Sequence, residues 1–372
     1  MAFNENGGGV TDRFGRPLRD LRISVTDRCN FRCPYCMPKE TYDERYEFLP
    51  KPELLTFEEI ERLTRLFVKA GTRKIRLTGG EPLLRANMPN LIEKISAIEG
   101  VEDIALTTNA YLLSDQAQAL RDAGLNRVTV SLDSVEEETF KKMNGRSFGT
   151  RRVLAGIEAA EKAGLTPIKI NAVVQRGMNE HTIVDLARHF KGTGHIVRFI
   201  EFMDVGTING WDMSQVVPAS EIAQRINEVF PIERAEPQYP GEVANRWFYK
   251  DGSGEIGIIS SVTEPFCGDC TRARLTTDGH LVTCLFAAGG KDLKSPMRDG
   301  ASDEELYELI TGVWSRRVDR YSELRTSETS PDLIGAGTGA ARITGAPIPE
   351  RRKDRENKAR QKRKIEMYQI GG

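Results

Sequence analysis

The stretch Cys29-Asn30-Phe31-Arg32-Cys33-Pro34-Tyr35-Cys36 follows a short apolar strand and contains three closely spaced thiols. A closed structural zinc site uses four ligands, commonly as paired Cys-x2-Cys knuckles. A [4Fe–4S] cluster held by only three cysteinates keeps one iron free to bind another molecule. The spacing Cys-x3-Cys-x2-Cys therefore indicates an open iron–sulfur site. Three buried structural thiols, or part of a zinc site, are the alternatives.

The composition is that of an ordinary enzyme. The chain has 372 residues, of which 39% are apolar and 29% charged, and its net charge is −1. A nucleic-acid-binding protein usually has a basic excess, so we expect no nucleic-acid partner. Residues 1–20 lack the apolar run of a signal peptide, and no run approaches the roughly 20 apolar residues that a membrane span needs. We therefore expect a cytoplasmic protein without a membrane partner.

Strands and helices alternate from residue 21 onward. Residues 21–26 alternate as a strand, and Thr56 and Glu59 have the spacing of a capping box that opens a helix to about residue 70. Five more strands are predicted at 74–78, 103–109, 127–133, 167–174 and 196–203, with helices in the connections between them. Such alternation is typical of a parallel sheet. We predict an α/β fold with a partial (β/α)6 TIM-like barrel.

The two faces of the predicted strands differ in polarity. One face carries Leu21, Ile23, Ile75, Leu77 and similar side chains, which we expect to pack on the helices. The other carries Arg22, Arg76 and Lys169, together with hydroxyl and amide groups. Burying these cations is costly unless an anion or carboxylate partners satisfy them. We favour an anionic ligand over an ordinary network of ion pairs. In the sixth strand, Arg198 and Glu201 fall on opposite faces, and its orientation stays open.

Three of the predicted strands end in residues suited to binding a ligand. Thr78-Gly79-Gly80-Glu81-Pro82 ends the second strand, where two glycines allow a ligand to approach the backbone closely and Glu81 supplies an acceptor. Residues 107–109 and 131–133 end the third and fourth strands, with groups that suit a ribose or a purine edge. Each is, taken singly, more often a turn or a helix cap.

A second triad of cysteines lies near the C terminus. Cys267, Cys270 and Cys284 surround the segment Thr271-Arg272-Ala273-Arg274, in which extended backbone would place both guanidinium groups on one side. With two groups of three cysteines and none left over, we expect metal binding rather than disulfides. A zinc site that includes His280 is the alternative.

Together these motifs resemble those of the GTP 3′,8-cyclase family of molybdenum cofactor biosynthesis, within the radical S-adenosylmethionine (SAM) superfamily. The resemblance rests on Arg22, the first triad, residues 78–82, Ser131, Lys169, residues 198–203 and the second triad with its two arginines. It covers about residues 18–324 and the C-terminal tail.

The resemblance implies a role for each matching residue. Two [4Fe–4S] clusters would be held by Cys29, Cys33 and Cys36 and by Cys267, Cys270 and Cys284. SAM would be lined by Tyr35, Gly80, Ser131 and Met203. GTP would contact Arg22, Arg76, Thr107, Lys169, Arg272 and Arg274, with Arg198 a weaker candidate. Arg272 and Arg274 would also be catalytic, through phosphate alignment or protonation.

The resemblance also implies the reaction and its partners. The protein would be a lyase in which a 5′-deoxyadenosyl radical abstracts the C3′ hydrogen of GTP and the carbon radical attacks guanine C8. It would need a one-electron reductant and would pass its product to cyclic pyranopterin monophosphate synthase. The oligomeric state stays open, with a homodimer as one alternative. The alternatives are a peptide-modifying radical SAM enzyme with an auxiliary cluster and a zinc-stabilised binding module.

The chain divides by pattern into five segments. We predict a flexible N terminus (1–17), a radical SAM partial barrel (18–210), and an extension (211–325) that carries the second cluster and closes the barrel. Residues 326–364, rich in small residues and then in mixed charges, are typical of a mobile linker. Residues 365–372 end in Gly371-Gly372, and the resemblance implies a tail that enters the active site.

Overall fold

The computed structural model of the chain describes residues 9–239, 241–329 and 365–370. Twelve strands in these ranges form one sheet. They are β1 Asp20–Ser24, β2 Lys74–Thr78, β3 Asp103–Thr108, β4 Arg127–Ser131, β5 Lys169–Val174, β6 Ile196–Glu201, β7 Ile232–Arg234, β8 Asn245–Tyr249, β9 Glu255–Ile259, β10 Arg272–Leu275, β11 His280–Val282 and β12 Lys291–Asp292.

The helices of the described ranges lie mainly in the connections between strands. They are α1 Phe57–Lys69, α2 Met88–Ser96, α3 Ala117–Asp122, α4 Glu137–Asn144, α5 Thr150–Lys162, α6 Ile183–Phe190, α7 Ala219–Asn227, α8 Lys294–Arg298, α9 Asp303–Ser315, α10 Tyr321–Thr329 and α11 Met367–Ile370. The predicted capping box at the start of α1 is confirmed, with the Thr56 side chain accepting from the N–H of Glu59.

The six strands predicted from the sequence are confirmed as β1 to β6. They are neighbours in chain order, and each pairs in parallel with the next. The predicted partial barrel is therefore confirmed. The connection between β3 and β4 contains a separate 3-10 segment, Leu113–Asp115, before the short helix α3 begins at Ala117.

The extension does not close the barrel by strand pairing, which corrects that part of the expectation. It adds strands to both edges, giving the order β12-β11-β10-β1-β2-β3-β4-β5-β6-β9-β8-β7. At one edge β10 pairs in parallel with β1, and at the other β9 pairs in parallel with β6. The sheet therefore stays open, and the extension is part of it rather than a separate cap.

Alternation along the strands separates the apolar from the polar face as predicted. Leu21, Ile23, Ile75 and Leu77 are fully buried in the main hydrophobic core, together with residues of α1. Arg22, Arg76 and Lys169 lie at alternate positions and line a cavity instead. The core therefore sits between sheet and helices, and the cations face the other way.

Glu201 settles the orientation of the sixth strand. Its side chain is 0% exposed, whereas Arg198 lines the same cavity as Arg22. The Glu201 carboxylate accepts backbone hydrogen bonds from Ala219 at the start of α7 (2.8 Å), from Val262 (2.7 Å) and from Thr263 (2.9 Å). A single buried carboxylate on the last barrel strand thus holds two separate parts of the extension.

Residues 9–17 pack against the body of the protein, which corrects the prediction that they are flexible. The N–H of Val10 donates to the carbonyl oxygen of Ala70 (2.9 Å), and Thr11 and Pro17 form an antiparallel bridge. Asp12 and Arg16 are both buried. Residues 1–8 lie outside the described ranges.

The predicted linker starts too early, because α10 runs to Thr329. Residues 330–364 lie outside the described ranges, as does the predicted Gly371-Gly372 tail. Residues 365–370 are described and contact the barrel: the carboxylate of Glu366 accepts from the N–H of Thr207 (3.1 Å) and from its hydroxyl (2.9 Å). Within the described residues, no helix combines the length and apolar character that crossing a membrane requires.

We expect Glu201→Ala to destabilise the protein strongly. Three backbone N–H groups would lose a buried partner, and each unsatisfied group costs about 1–3 kcal/mol. The free energy of unfolding, measured anaerobically in urea, should fall by at least about 3 kcal/mol. Glu99→Ala, at an exposed position at the end of a helical segment, should change it by less than about 0.5 kcal/mol. Equal effects of the two substitutions would contradict the role of Glu201.

Candidate active site

One large cavity collects all the site residues predicted from the sequence. It holds about 2470 Å³ of space, partly open to solvent, between the polar face of the barrel strands, the loops that follow them and the extension. The predicted residues that line it are Cys29, Cys33, Cys36, Cys267, Cys270, Cys284, Tyr35, Gly80, Ser131, Met203, Arg22, Arg76, Thr107, Lys169, Arg272 and Arg274. Both triads therefore open into the same space.

The first triad lies on the loop after β1, and Arg32 holds this loop. The Arg32 guanidinium donates to the carbonyl oxygens of Cys29 (2.7 Å) and Tyr42 (2.7 Å). The N–H of Cys36 donates to the carbonyl oxygen of Cys33 (3.0 Å). This hydrogen bond closes a turn that contains the last two cysteines of the triad. Hydrogen bonds to backbone carbonyl oxygens, from the Arg32 side chain and from the N–H of Cys36, thus hold the shape of this loop.

The thiols of the first triad are free, and the three cysteines are half-buried. Burial raises the pKa of Cys29 to about 12 and raises the pKa of Cys33 and Cys36 as well. Metal ligands must be deprotonated, so binding of iron would release protons here. An all-sulfur donor set is the one that iron–sulfur clusters use.

The glycines after β2 lie directly on the cysteine loop. The N–H of Gly80 donates to the carbonyl oxygen of Thr26 (2.7 Å). A Cβ atom at Gly80 would stand 2.3 Å from the carbonyl oxygen of Arg28, which no real contact allows. Close packing of two backbones therefore requires glycine at this position.

Glu81 is not the free acceptor that the sequence suggested. It is buried, and its carboxylate accepts hydrogen bonds from the Thr108 hydroxyl (2.7 Å) and from the N–H groups of Leu83 (3.0 Å) and Asn109 (2.7 Å). Burial raises its pKa to about 7. Glu81 thus joins the ends of β2 and β3, and its acceptor capacity is largely used within the protein.

Asp133 is a site residue whose role the sequence did not indicate. Its carboxylate accepts a hydrogen bond from the Tyr35 hydroxyl (2.8 Å) and another from the N–H of Val173 (2.9 Å). Burial raises the pKa of Asp133 to about 6 and raises that of Tyr35 as well. The cysteine loop is therefore tied to the ends of β4 and β5, on the side of the cavity where Ser131 lies.

A row of arginines crosses three neighbouring strands. Strand register places Arg274 of β10 opposite Arg22 of β1, and Arg22 opposite Arg76 of β2. Burial lowers the pKa of Arg22, and the charges of Arg274 and Arg76 lower it further. Arg76 donates to the hydroxyls of Thr107 (3.0 Å) and Thr129 (3.1 Å), which are neutral partners. Like charges side by side favour an anion in the cavity.

These cations are not balanced by carboxylates. Among the ion pairs within 4.0 Å in the described residues, Arg127 pairs with Asp103, but Arg22, Arg76 and Lys169 have no pair. Burial, and then the charges of Arg198, Arg127 and Arg76, lower the pKa of Lys169 to about 7. The described residues therefore do not form an ordinary ion-pair network around Arg22, Arg76 and Lys169.

The second triad is bordered by positive charge. Arg272 donates from Nε (3.3 Å) and Nη2 (3.2 Å) to the Sγ of Cys270. Burial alone would raise the pKa of Cys270, but the charges of Arg272 and Arg317 lower it to about 6. Burial raises the pKa of Cys284 to about 11. His280 does not line the cavity and contacts Asp278 instead (3.2 Å).

Neither triad has the geometry of a single-ion site. In the described ranges, no group of three or more His, Cys, Asp or Glu side chains could hold one metal ion. The cysteines of an iron–sulfur cluster bind different irons, so they do not need to converge on one point. The arrangement is therefore compatible with a cluster at each triad.

Several lining residues had no signal in the sequence. Arg317 and Asp319 reach the second triad from the end of α9, where the local pattern is only a run of charges. Met367 and Tyr368 line the cavity from the C-terminal segment. The Tyr368 hydroxyl lies 3.0 Å from that of Tyr46, beside the first triad. Only contacts between distant parts of the chain identify these residues.

Comparison with known families divides the chain into two matched regions. The model of the radical SAM superfamily matches residues 23–190, and that of Molybdenum Cofactor Synthesis C matches residues 195–323. Among solved structures, native anSMEcpe with bound AdoMet and Cp18Cys peptide is 15% identical, with a TM-score of 0.50 over 82% of this chain and 85% of that one. This likeness concerns the fold alone.

Curated relatives with the name GTP 3′,8-cyclase are similar over most of the chain. The one from Acidothermus cellulolyticus is 52% identical over 98% of this chain and 99% of its own length. The one from Xanthomonas axonopodis pv. citri is 52% identical over 86% of this chain and 94% of its own length. The one from Staphylococcus saprophyticus is 49% identical, again over 86% and 94%.

Lys169 should take up a proton when a polyanion binds in the cavity. With a pKa of about 7 its amine is partly neutral at pH 7, and a nearby anion favours the charged form. Binding of inorganic tripolyphosphate should therefore weaken as the pH rises above 7. Calorimetry in two buffers of different ionisation enthalpy should show more proton uptake by the unmodified protein than by Lys169→Met. Lys162→Met, at an exposed position, is the control, and equal uptake in all three proteins would refute the prediction.

Proposed function

The chain belongs to the GTP 3′,8-cyclase family of the radical SAM superfamily, and we propose that it converts GTP to (8S)-3′,8-cyclo-7,8-dihydroguanosine 5′-triphosphate. This is the first step of molybdenum cofactor biosynthesis, in agreement with the match of residues 195–323. The observation that carries the proposal is that two cysteine triads line one cavity with a row of cations for which the described residues provide no carboxylate ion-pair partner.

The protein's own part in this reaction is binding, orientation and charge. When bound, the first cluster and SAM supply a 5′-deoxyadenosyl radical, which removes the C3′ hydrogen of GTP so that C3′ bonds to guanine C8, with one added electron and proton. Cys29, Cys33 and Cys36 hold that cluster. Tyr35, Gly80, Ser131 and Met203 line the SAM site, in which the bond from Tyr35 to Asp133 fixes the cysteine loop.

Arg22, Arg76 and Lys169 bind the triphosphate of GTP, and Thr107 orients Arg76. Support comes from the lack of carboxylate ion-pair partners for these cations in the part of the chain that the structure describes, since the negative charge of a triphosphate relieves the repulsion within this row. Arg198, which the sequence suggested only weakly, lies in the same cavity and lowers the pKa of Lys169. It therefore belongs to the proposed phosphate site.

Cys267, Cys270 and Cys284 would hold a second [4Fe–4S] cluster, which would supply an iron with a free coordination position for the guanine of GTP. Support comes from the three free thiols in the GTP cavity and from the arginines beside them. Arg272 contacts the sulfur of Cys270, while Arg274 continues the row of phosphate-binding cations. The two catalytic arginines thus have different roles: Arg272 acts next to the second cluster, and Arg274 acts next to the phosphates of GTP.

The reaction needs a one-electron reductant and yields a product for cyclic pyranopterin monophosphate synthase; both are proposed partners. The six free thiols support a reducing, cytoplasmic compartment. A homodimer and the boundary between the barrel (18–210) and the extension (211–325) also remain proposals. A peptide-modifying enzyme is not favoured, because the full-length relatives named above are GTP 3′,8-cyclases.

One experiment tests the function directly. Protein reconstituted anaerobically with iron and sulfide is incubated with SAM, dithionite and GTP, and the nucleotides are separated by liquid chromatography with mass detection. We expect a product with the mass of GTP and a different retention time, together with 5′-deoxyadenosine. Formation of 5′-deoxyadenosine without any isomer of GTP would refute the proposed function.

Arg274→Ala should separate SAM cleavage from cyclisation. The substitution removes one cation from the row that binds GTP but touches no proposed ligand of SAM. Cyclised product should fall by at least about 100-fold, since misplacement of reacting atoms by about 1 Å costs roughly that much. Cleavage of SAM should persist, as it should in Arg272→Ala.

Arg151→Ala, an exposed substitution on α5, is the matched control for both variants. It should leave SAM cleavage and cyclisation unchanged. An equal loss of the two activities in Arg274→Ala would show that this arginine does not act on GTP alone.

Iron content tests the second cluster. Two [4Fe–4S] clusters bring about eight irons per chain, and replacing Cys267, Cys270 and Cys284 by alanine should leave about four. The same should hold for alanines at Cys29, Cys33 and Cys36. Four irons in the unmodified protein, all lost with the first triad, would rule out the second cluster.

A further inference from the structure

Two buried arginines lie behind the second triad. Arg16, from the N-terminal segment, is 3% exposed, and Arg317, from the end of α9, is 5% exposed. The carboxylate of Asp12 connects them: its Oδ2 lies 2.6 Å from Nε of Arg16 and 3.4 Å from Nη1 of Arg317. Two guanidinium groups from opposite ends of the chain thus share one buried carboxylate.

Each arginine bonds the backbone of one cysteine of the triad. Nη1 of Arg16 donates to the carbonyl oxygen of Cys267 (2.5 Å), and Nη1 of Arg317 donates to that of Cys270 (2.6 Å). Cys267 begins the short 3-10 turn Cys267–Asp269, and the N–H of Cys270, the residue after the turn, donates to the carbonyl oxygen of Cys267 (3.3 Å). The Arg16–Asp12–Arg317 bridge therefore holds both ends of this turn from the side of the two carbonyl oxygens.

Asp319 connects the segment just before Cys284, the third cysteine of the triad, to the Arg16–Asp12–Arg317 bridge. Its carboxylate accepts from Nε of Arg317 (3.2 Å) and from the hydroxyl of Thr283 (2.6 Å), the residue before Cys284. Its carbonyl oxygen also accepts from Nη1 of Arg16 (3.0 Å). The network therefore reaches the backbone on both sides of the triad and contains two cations and two carboxylates.

We propose that Arg16 and Arg317 are positioning residues for the second cluster, and that the Asp12-bridged pair sets both the spacing of Cys267 and Cys270 and the reduction potential of the iron they hold. The inference rests on the proposed function, which supplies the cluster. Arg16 has no part in the sites assigned above, Arg317 lines the cavity beside the second triad, and both arginines act through the backbone of the cysteines.

The charge balance of this network has a direct consequence for the potential. Charge near an iron–sulfur cluster shifts its potential, and burial limits screening by solvent. Removing a cation leaves excess negative charge and disfavours the added electron. Removing the carboxylate of Asp12 does the opposite. A purely structural network would give no such reversal of sign.

The test uses the full chain in which Cys29, Cys33 and Cys36 are alanine, so that only the second triad can hold iron. After anaerobic reconstitution, iron is counted and the midpoint potential is measured by titration followed by electron paramagnetic resonance. Arg317→Met should shift the midpoint to more negative values and Asp12→Asn to more positive ones. Arg317→Lys, which keeps the charge, should lie near the parent.

Arg13→Met is the matched control, because Arg13 lies in the same turn as Arg16 but is exposed. It should leave iron content and potential unchanged. If Arg317→Met holds less than half of the parent's roughly four irons, Arg317→Lys should restore them. Arg16→Met, made with the first triad intact, should lose iron only from the second site and keep SAM cleavage.

Several outcomes would overturn the inference. Shifts of the same sign in Arg317→Met and Asp12→Asn, or unchanged potentials with full iron in both, would exclude control of the potential. Failure of Arg317→Lys to restore iron would exclude positioning by this cation. A parent that binds no iron at the second triad would instead refute the proposed second cluster, so the two failures are distinguishable.

Discussion

Repulsion among buried cations is the constraint on which the site depends. Strand register aligns Arg274, Arg22 and Arg76 across three strands, and no carboxylate within the described residues forms an ion pair with them. The pKa of Arg76 falls from its ordinary 12.5 to about 10, chiefly through burial and then through the charges of Arg127 and Arg198. Burial and repulsion of these cations destabilise the fold as long as no polyanion occupies the cavity. Because a ligand with more negative charge relieves more of this repulsion, the cavity favours strongly anionic ligands.

The extension supplies part of that constraint, because β10 brings Arg274 to the edge of β1. Periodicity predicted the six barrel strands and their polar face, since each signal lies within a few neighbouring residues. It did not predict where β10 and β9 pair. Parallel pairing between residues near 20 and near 272 leaves no local pattern. The predicted partial barrel is therefore confirmed, whereas the pairing of the extension with both edges of an open sheet had no signal in the sequence.

The same distinction holds for the site residues. Cysteine spacing and alternation identified residues that now line one cavity, because these signals reflect chemistry at fixed positions. Glu81 was predicted to supply an acceptor, yet its partners Thr108 and Asn109 at the end of β3 could not be identified from the sequence. The orientation of β6 followed only from the contacts of Glu201 with Ala219 and Val262. Asp133 and Arg317 likewise acquire their roles from side chains far along the chain.

The pairing of β1 with β10 also affects how the protein is made. The Asp20 carboxylate accepts from the hydroxyl of Thr271, a residue 251 positions later in the chain. Ribosomes add about 5–20 residues per second. The edge of β1 that pairs with β10 therefore stays unpaired for tens of seconds during synthesis. During this time β1 exposes unpaired backbone next to its apolar face, which favours aggregation. Folding of this enzyme in the cell is therefore coupled to completion of its C-terminal third, and slow translation of that part would prolong the vulnerable state.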